Sequence, residues 1–212
     1  MLDKYNMTAD ENLFLAKKLL EQNIYACVRL EGFDVTFPEV KTILDGVNVG
    51  SVDLCAVELI LNLRAAWRFV FESFSVSLDF GYVCMVNEFL SPNARLLRAV
   101  RACVQQEATP QYDRIKRDIE GILAKGTAAE RATKLLLYGL RRKIFLEANT
   151  STFFICANKI LISEGAGVFA VNEVALLKFL NLIKDVPYNT EDIKNLLYEC
   201  ITGIDWDEKR NG

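Results

Sequence analysis

The chain has 212 residues, 51% of them apolar, so it is long enough to enclose a full hydrophobic core in one domain and needs no second. A formal net charge of −3 gives no electrostatic case for nucleic acid as a partner, and no apolar run has the length of a membrane span or the form of a leader segment. Six cysteines are scattered singly and histidine is absent, which argues against a zinc site and for reduced, buried thiols in a cytoplasmic protein.

Taken in order, the sequence is a succession of helical patterns. Thr8-Ala-Asp-Glu11 is a capping box ahead of Leu13, Leu15, Leu19 and Leu20, which predicts a first helix over about Ala9 to Arg29. Thr36-Phe-Pro-Glu39 repeats the device, with Pro38 in the first turn, and opens a short helix ending near Gly46. Ser51 is expected to cap a long helix carrying Leu54, Val57, Leu61, Ala65, Arg68 and Phe71. A further helix from Phe80 to Phe89 is stopped by Ser91-Pro92-Asn93. Between Arg98 and Pro110 the helical stripe lapses, and the β-branched and polar residues there predict a short β-hairpin or extended flap. Helices resume at Tyr112 to Lys125 and, behind the capping box Thr127-Ala-Ala-Glu130, at Ala128 to Arg142.

A loop from Lys143 to Thr152 then joins two helical patterns. The second, Thr150 to Glu164, is apolar on more than one stripe, so it is expected to be central, with Phe154, Ile155, Ile160 and Leu161 buried, and to end at Gly165-Ala-Gly167. Helices at Asn172 to Lys184 and Thr190 to Cys200 complete a single all-α domain over residues 1–212, without repeats or linkers. The loop's free backbone N–H groups, together with the helix dipole, form an anion site. The basic run Arg141-Arg142-Lys143 before it reads as a complement to the preceding helix's C-terminal dipole.

Lys143-Ile144-Phe145-Leu146-Glu147-Ala148-Asn149-Thr150-Ser151-Thr152 resembles the signature loop of the Fic/Doc family of nucleotidyl transferases and kinases, H-x-F-x-(D/E)-G-N-(G/K)-R-T. Phe145, Glu147, Asn149 and Thr152 match; Lys143 stands in for the general base, Ala148 for the glycine, Thr150 for Gly or Lys, and Ser151 for the phosphate-binding arginine. The following run, Thr152 to Phe169 with Ala157-Asn158-Lys159, is similar to the A-N-K-x-L-I-x-x-G-x-G helix of a bacterial Fic subgroup that commonly lacks the histidine. Arg95-Leu-Leu-Arg98 through Pro110 is similar to the region whose flap aligns target side chains. Cys27 through Glu31-Gly32 resembles the (S/T)-x-x-x-E-(G/N) inhibitory helix, with Cys27 in place of the hydroxyl residue.

The resemblance implies a Fic-like helical bundle and assigns a role to each position. Glu147 would hold Mg²⁺ against nucleotide phosphates, although the dipole alone favours an acid there. Asn149 would bond phosphate, or serve as an ordinary N-cap. Phe145 anchors the loop, and Thr152 packs or bonds back to its own helix. Lys143 would need its pKa lowered by about three units to act as a base, with Arg141 and Arg142 as the nearby charges. Ser151 cannot replace a bidentate arginine clamp, Ala148 adds a Cβ where backbone must approach phosphate, and the inhibitory-like Glu31, lacking that arginine, is expected to hold nothing. The expected function is thus a Fic-like protein with a degenerate, non-catalytic site that retains weak nucleotide or anion binding through the amides of Ala148, Asn149, Thr150 and Ser151. One competing reading is an active AMP transferase working on protein hydroxyls with ATP and Mg²⁺. Another is a peptide- or partner-binding module, a homodimer among the options, whose groove and flap take up an extended peptide.

Overall fold

The computed structural model describes residues 1–91, 110–184 and 190–204. Helices dominate it: α1 (Ala9–Lys18), α2 (Leu20–Leu30), α3 (Phe37–Leu44), α4 (Leu54–Glu72), α5 (Phe80–Leu90), α6 (Pro110–Leu123), α7 (Ala128–Arg142), α8 (Asn149–Ser163), α9 (Glu173–Lys184) and α10 (Thr190–Glu199). The described strands are β1 (Val168–Phe169) and β2 (Ile201–Thr202), an antiparallel pair in which Val168 faces Thr202 and Phe169 faces Ile201. The expected flap at 98–110 lies outside the described residues except for Pro110, the first residue of α6.

Two expected boundaries are corrected. The first helix is two: Leu19, with φ −92° and ψ 5°, breaks it, so that α1 packs on α8 and β1 while α2 turns toward α3, α4, α8 and α9. No Gly or Pro marks the break, and the two halves pack against different neighbours. Ser51 does not cap α4, because its hydroxyl donates to Glu39 Oε1 at 3.0 Å, and Asp53 caps instead through Oδ1 and the Cys55 amide at 2.7 Å. Thr8, Thr36 and Thr127 each accept the amide three residues on; at Thr8 and Thr36 the glutamate completes the box, whereas Glu130 pairs with Lys134.

α8 is the axis of the molecule. Every residue from Ser151 to Ile162 is buried, Phe154, Ile155, Ile160 and Leu161 among them, and α7 is its closest companion, with α5, α2, α1 and α4 around the rest. Gly139 permits the α7 approach, since a Cβ there would stand 2.1 Å from the Phe153 ring. Asn158 ties the sheet to this axis by accepting the Phe169 amide at 2.9 Å. Lys159, also buried, donates to the carbonyls of Phe74 at 2.9 Å and Val76 at 2.5 Å, pinning the turn between α4 and α5. Burial pushes its ammonium below its ordinary pKa. Gly165, at φ +68°, lets Met7 pass close enough to donate its amide to the Gly165 carbonyl at 2.8 Å.

Cys27, Cys156 and Cys200 are buried free thiols, and Cys84 is partly buried. Cys55 is exposed, against expectation, because the two residues after the Asp53 cap sit on the solvent side of the first turn of α4. Cys103 lies outside the described residues. Among the described residues no helix is long and apolar enough to cross a membrane.

Candidate functional site

The loop between α7 and α8 is closed by its own side chains. Asn149 accepts the Phe145 amide through Oδ1 at 2.8 Å and donates through Nδ2 to the Phe145 carbonyl at 2.5 Å, so one side-chain amide satisfies both backbone groups of one residue. Asn149 is therefore the first residue of α8 and not its cap; the cap position is Ala148, which has no side-chain acceptor. Ala148 sits at φ 52° and ψ 30°, and Lys143 at φ 43° and ψ 59°, both left-handed conformations that favour glycine. The loop geometry thus wants small residues at both ends, and the chain supplies a lysine and an alanine.

With no cap from Ala148, the start of α8 takes its acceptor from elsewhere. Glu31, the C-cap of α2, reaches across and accepts the Ser151 amide through Oε1 at 2.8 Å. Glu31 therefore does hold something: it fills the anion position at the helix N-terminus with a carboxylate of the chain itself. Gly32 behind it, at φ +96°, makes the turn that ends α2 and aims Glu31 inward. Burial is the largest influence on this carboxyl and raises its pKa; the Ser151 and Thr150 amides and the Ser151 hydroxyl pull it down, while Glu147 adds to the rise. The Ser151 Oγ is buried and finds no hydrogen-bond partner of normal geometry, and the Cys27 thiol beside it is pushed up by burial.

The α5 helix supplies residues that the sequence did not mark. Asn87 donates from Nδ2 to the Glu147 carbonyl at 3.2 Å and to Thr152 Oγ1 at 3.0 Å, while Thr152 donates to the Ala148 carbonyl at 2.7 Å. Thr152 is thus a back-bonding residue. Ser91 donates to Glu147 Oε2 at 3.3 Å. A buried amide inside the apolar pattern of Phe80 to Leu90 was the available signal for Asn87.

A cavity of about 510 Å³ opens on this loop, with Glu31, Glu58 and Glu147 in its walls beside Phe33, Leu59, Leu90 and Leu146. No Lys or Arg is among its described walls. Lys143 is not there either; it is exposed and lines a separate cavity with Arg114 and Arg142. Lys143 and Glu147 therefore line different cavities. A polyphosphate does not fit the loop as it stands: three carboxylates line the space, the Ser151 amide is taken, and among the described residues no Lys or Arg of the walls offsets its charge. Among the described residues no group of three or more Cys, Asp or Glu side chains is placed to hold a metal ion. No protein-family model matches the chain, and no curated protein matches it.

Proposed function

We propose that this chain is a Fic-like helical protein whose nucleotidyl-transfer centre is inert and closed by its own glutamate, and that it acts by binding. The observation that carries the reading is the 2.8 Å bond from the Ser151 amide to Glu31. A phosphate at that helix start would have to displace a carboxylate held by the same backbone groups it needs, and would meet Glu58 and Glu147 in the same cavity. Lys143 supports the reading from the other side. It is exposed, and it does not line the cavity that Glu147 lines, so it is not placed to act as a base on a group held there. Ser151 offers no fork to a phosphate, which removes the positioning on which phosphoryl chemistry depends. Nucleotide or anion binding at the loop is accordingly weak and in competition with Glu31. Incubation of the purified protein with labelled ATP and Mg²⁺, alone and with lysate proteins, is expected to give no labelled product. A labelled band that Glu147→Ala abolishes would establish an active transferase in its place.

A further inference from the structure

The second cavity at the loop, about 430 Å³ between α6, the end of α7 and Ile144, has the opposite charge to the first. Arg114 enters it from α6, Arg142 from the last turn of α7 and Lys143 from the loop, and the one carboxylate among its described walls is Asp118. Dipole complementation accounts for Arg142 and for Lys143 at the C-cap of α7, but Arg114 belongs to another helix. Asp118 does not neutralise the three. Its Oδ2 accepts the Tyr138 hydroxyl at 3.0 Å and lies 3.8 Å from the Arg142 guanidinium. The charged groups of Arg114 and Lys143 make no ion pair or hydrogen bond among the described residues, although Arg114 is one helical turn from Asp118. A net charge of two positive therefore faces the cavity in a chain that is acidic overall.

The conformation of Lys143 is the second observation. A left-handed residue at a helix end is ordinarily glycine or asparagine, and here the position carries a long cationic side chain at φ 43°. The walls supply the rest of a small-molecule site. Ile115, Ile144 and the Tyr138 ring are apolar surface, and the Arg142 guanidinium already lies over that ring, 5.8 Å from its centroid.

We propose that the cavity bounded by Arg114, Arg142 and Lys143 binds the dianionic head of a small organic phosphate monoester, with its carbon body against Ile115, Ile144 and Tyr138. Two guanidinium groups and one ammonium supply hydrogen-bond donors and charge for such a head, and the two negative charges of the phosphate monoester balance the two net positive charges. The site shares no wall residue with the cavity that Glu31 lines.

The test is isothermal titration calorimetry at low ionic strength with three probes: inorganic phosphate, phenyl phosphate and AMP. Phenyl phosphate is expected to saturate and to bind more tightly than inorganic phosphate, and comparison with AMP tells an aryl or other compact body from a nucleoside. Arg114→Ala and Lys143→Ala, both at exposed positions, are each expected to weaken binding about tenfold or more, the loss expected for one charge-assisted contact, while Lys143→Arg retains it. Absence of saturable binding by all three probes, or binding that Arg114→Ala and Lys143→Ala leave unchanged, overturns the proposal. Equal affinity for phenyl phosphate and inorganic phosphate overturns the role given to the apolar walls.

Discussion

Replacing Glu31 separates the two effects that meet at the start of α8. As the acceptor for the Ser151 amide it acts as a helix cap from outside the helix, and losing such a cap costs about 0.5–2 kcal/mol. As a half-buried carboxylate beside Glu147 it opposes folding, since burial raises its pKa above the ordinary 4.5. Glu31→Gln keeps an acceptor oxygen and removes the charge; Glu31→Ala removes both. At pH 7 the Gln variant is therefore expected to be at least as stable as the parent, and the Ala variant about 1 kcal/mol below the Gln variant. In a chain of this size that separation is about 2–4 °C in Tm, readable by circular dichroism melts or urea unfolding at constant m. The pH dependence has a definite sign. A carboxyl raised on folding gives the folded chain more bound protons than the unfolded chain between 4.5 and the raised value, so its contribution is fully present below 4.5 and is lost as pH rises through that window. The stability of Glu31→Gln relative to the parent should rise with pH across the window and level off above it. A Gln variant that is less stable than the parent by 1 kcal/mol or more at pH 7, with the deficit shrinking toward low pH, would show that the charge stabilises the fold and refute the reasoning.

Gly139→Ala should destabilise by about 3 kcal/mol or more, because the new Cβ would stand 2.1 Å from a Phe153 ring that is fully buried and has no route aside; urea unfolding checks it, and a loss under 1 kcal/mol would mean α7 and α8 can part cheaply. Lys143→Gly should stabilise by about 1 kcal/mol by relieving the left-handed backbone at φ 43°, while removing one of the cations proposed to bind phosphate, so a melt and a phenyl phosphate titration on the same variant should move in opposite directions.

Local chemistry made much of the fold legible. The Thr-x-x-Glu patterns at Thr8, Thr36 and Thr127 gave the starts of α1, α3 and α7, and the apolar residues after Thr152, spread over more than one stripe, identified α8 as central. The break at Leu19 was not legible, since no Gly or Pro marks it. Nor was the β1–β2 pair, where two-residue strands are too short to show a period. At the site, the sequence placed Glu31 and Ser151 in one motif-based relation but assigned that relation to a side chain, an arginine that is missing. The contact runs to the Ser151 backbone amide, which every residue but proline possesses and which no motif records. Asn149 shows the converse: Asn before a helix is a good cap by propensity, yet the left-handed Ala148 shifts it inside the helix and turns its amide back to Phe145. The separation of Lys143 from Glu147 into different cavities is also a matter of backbone direction, which the spacing of four residues does not reveal.

The most direct test of a self-closed, inert loop follows the Ser151 amide itself by ¹⁵N NMR during titration with ATP and Mg²⁺, in the parent and in Glu31→Gly. The Ser151 resonance is expected to stay in place in the parent and to shift in a saturable, weak fashion in Glu31→Gly, where the helix start is free to take a phosphate. A saturable Ser151 shift in the parent at micromolar nucleotide would contradict it.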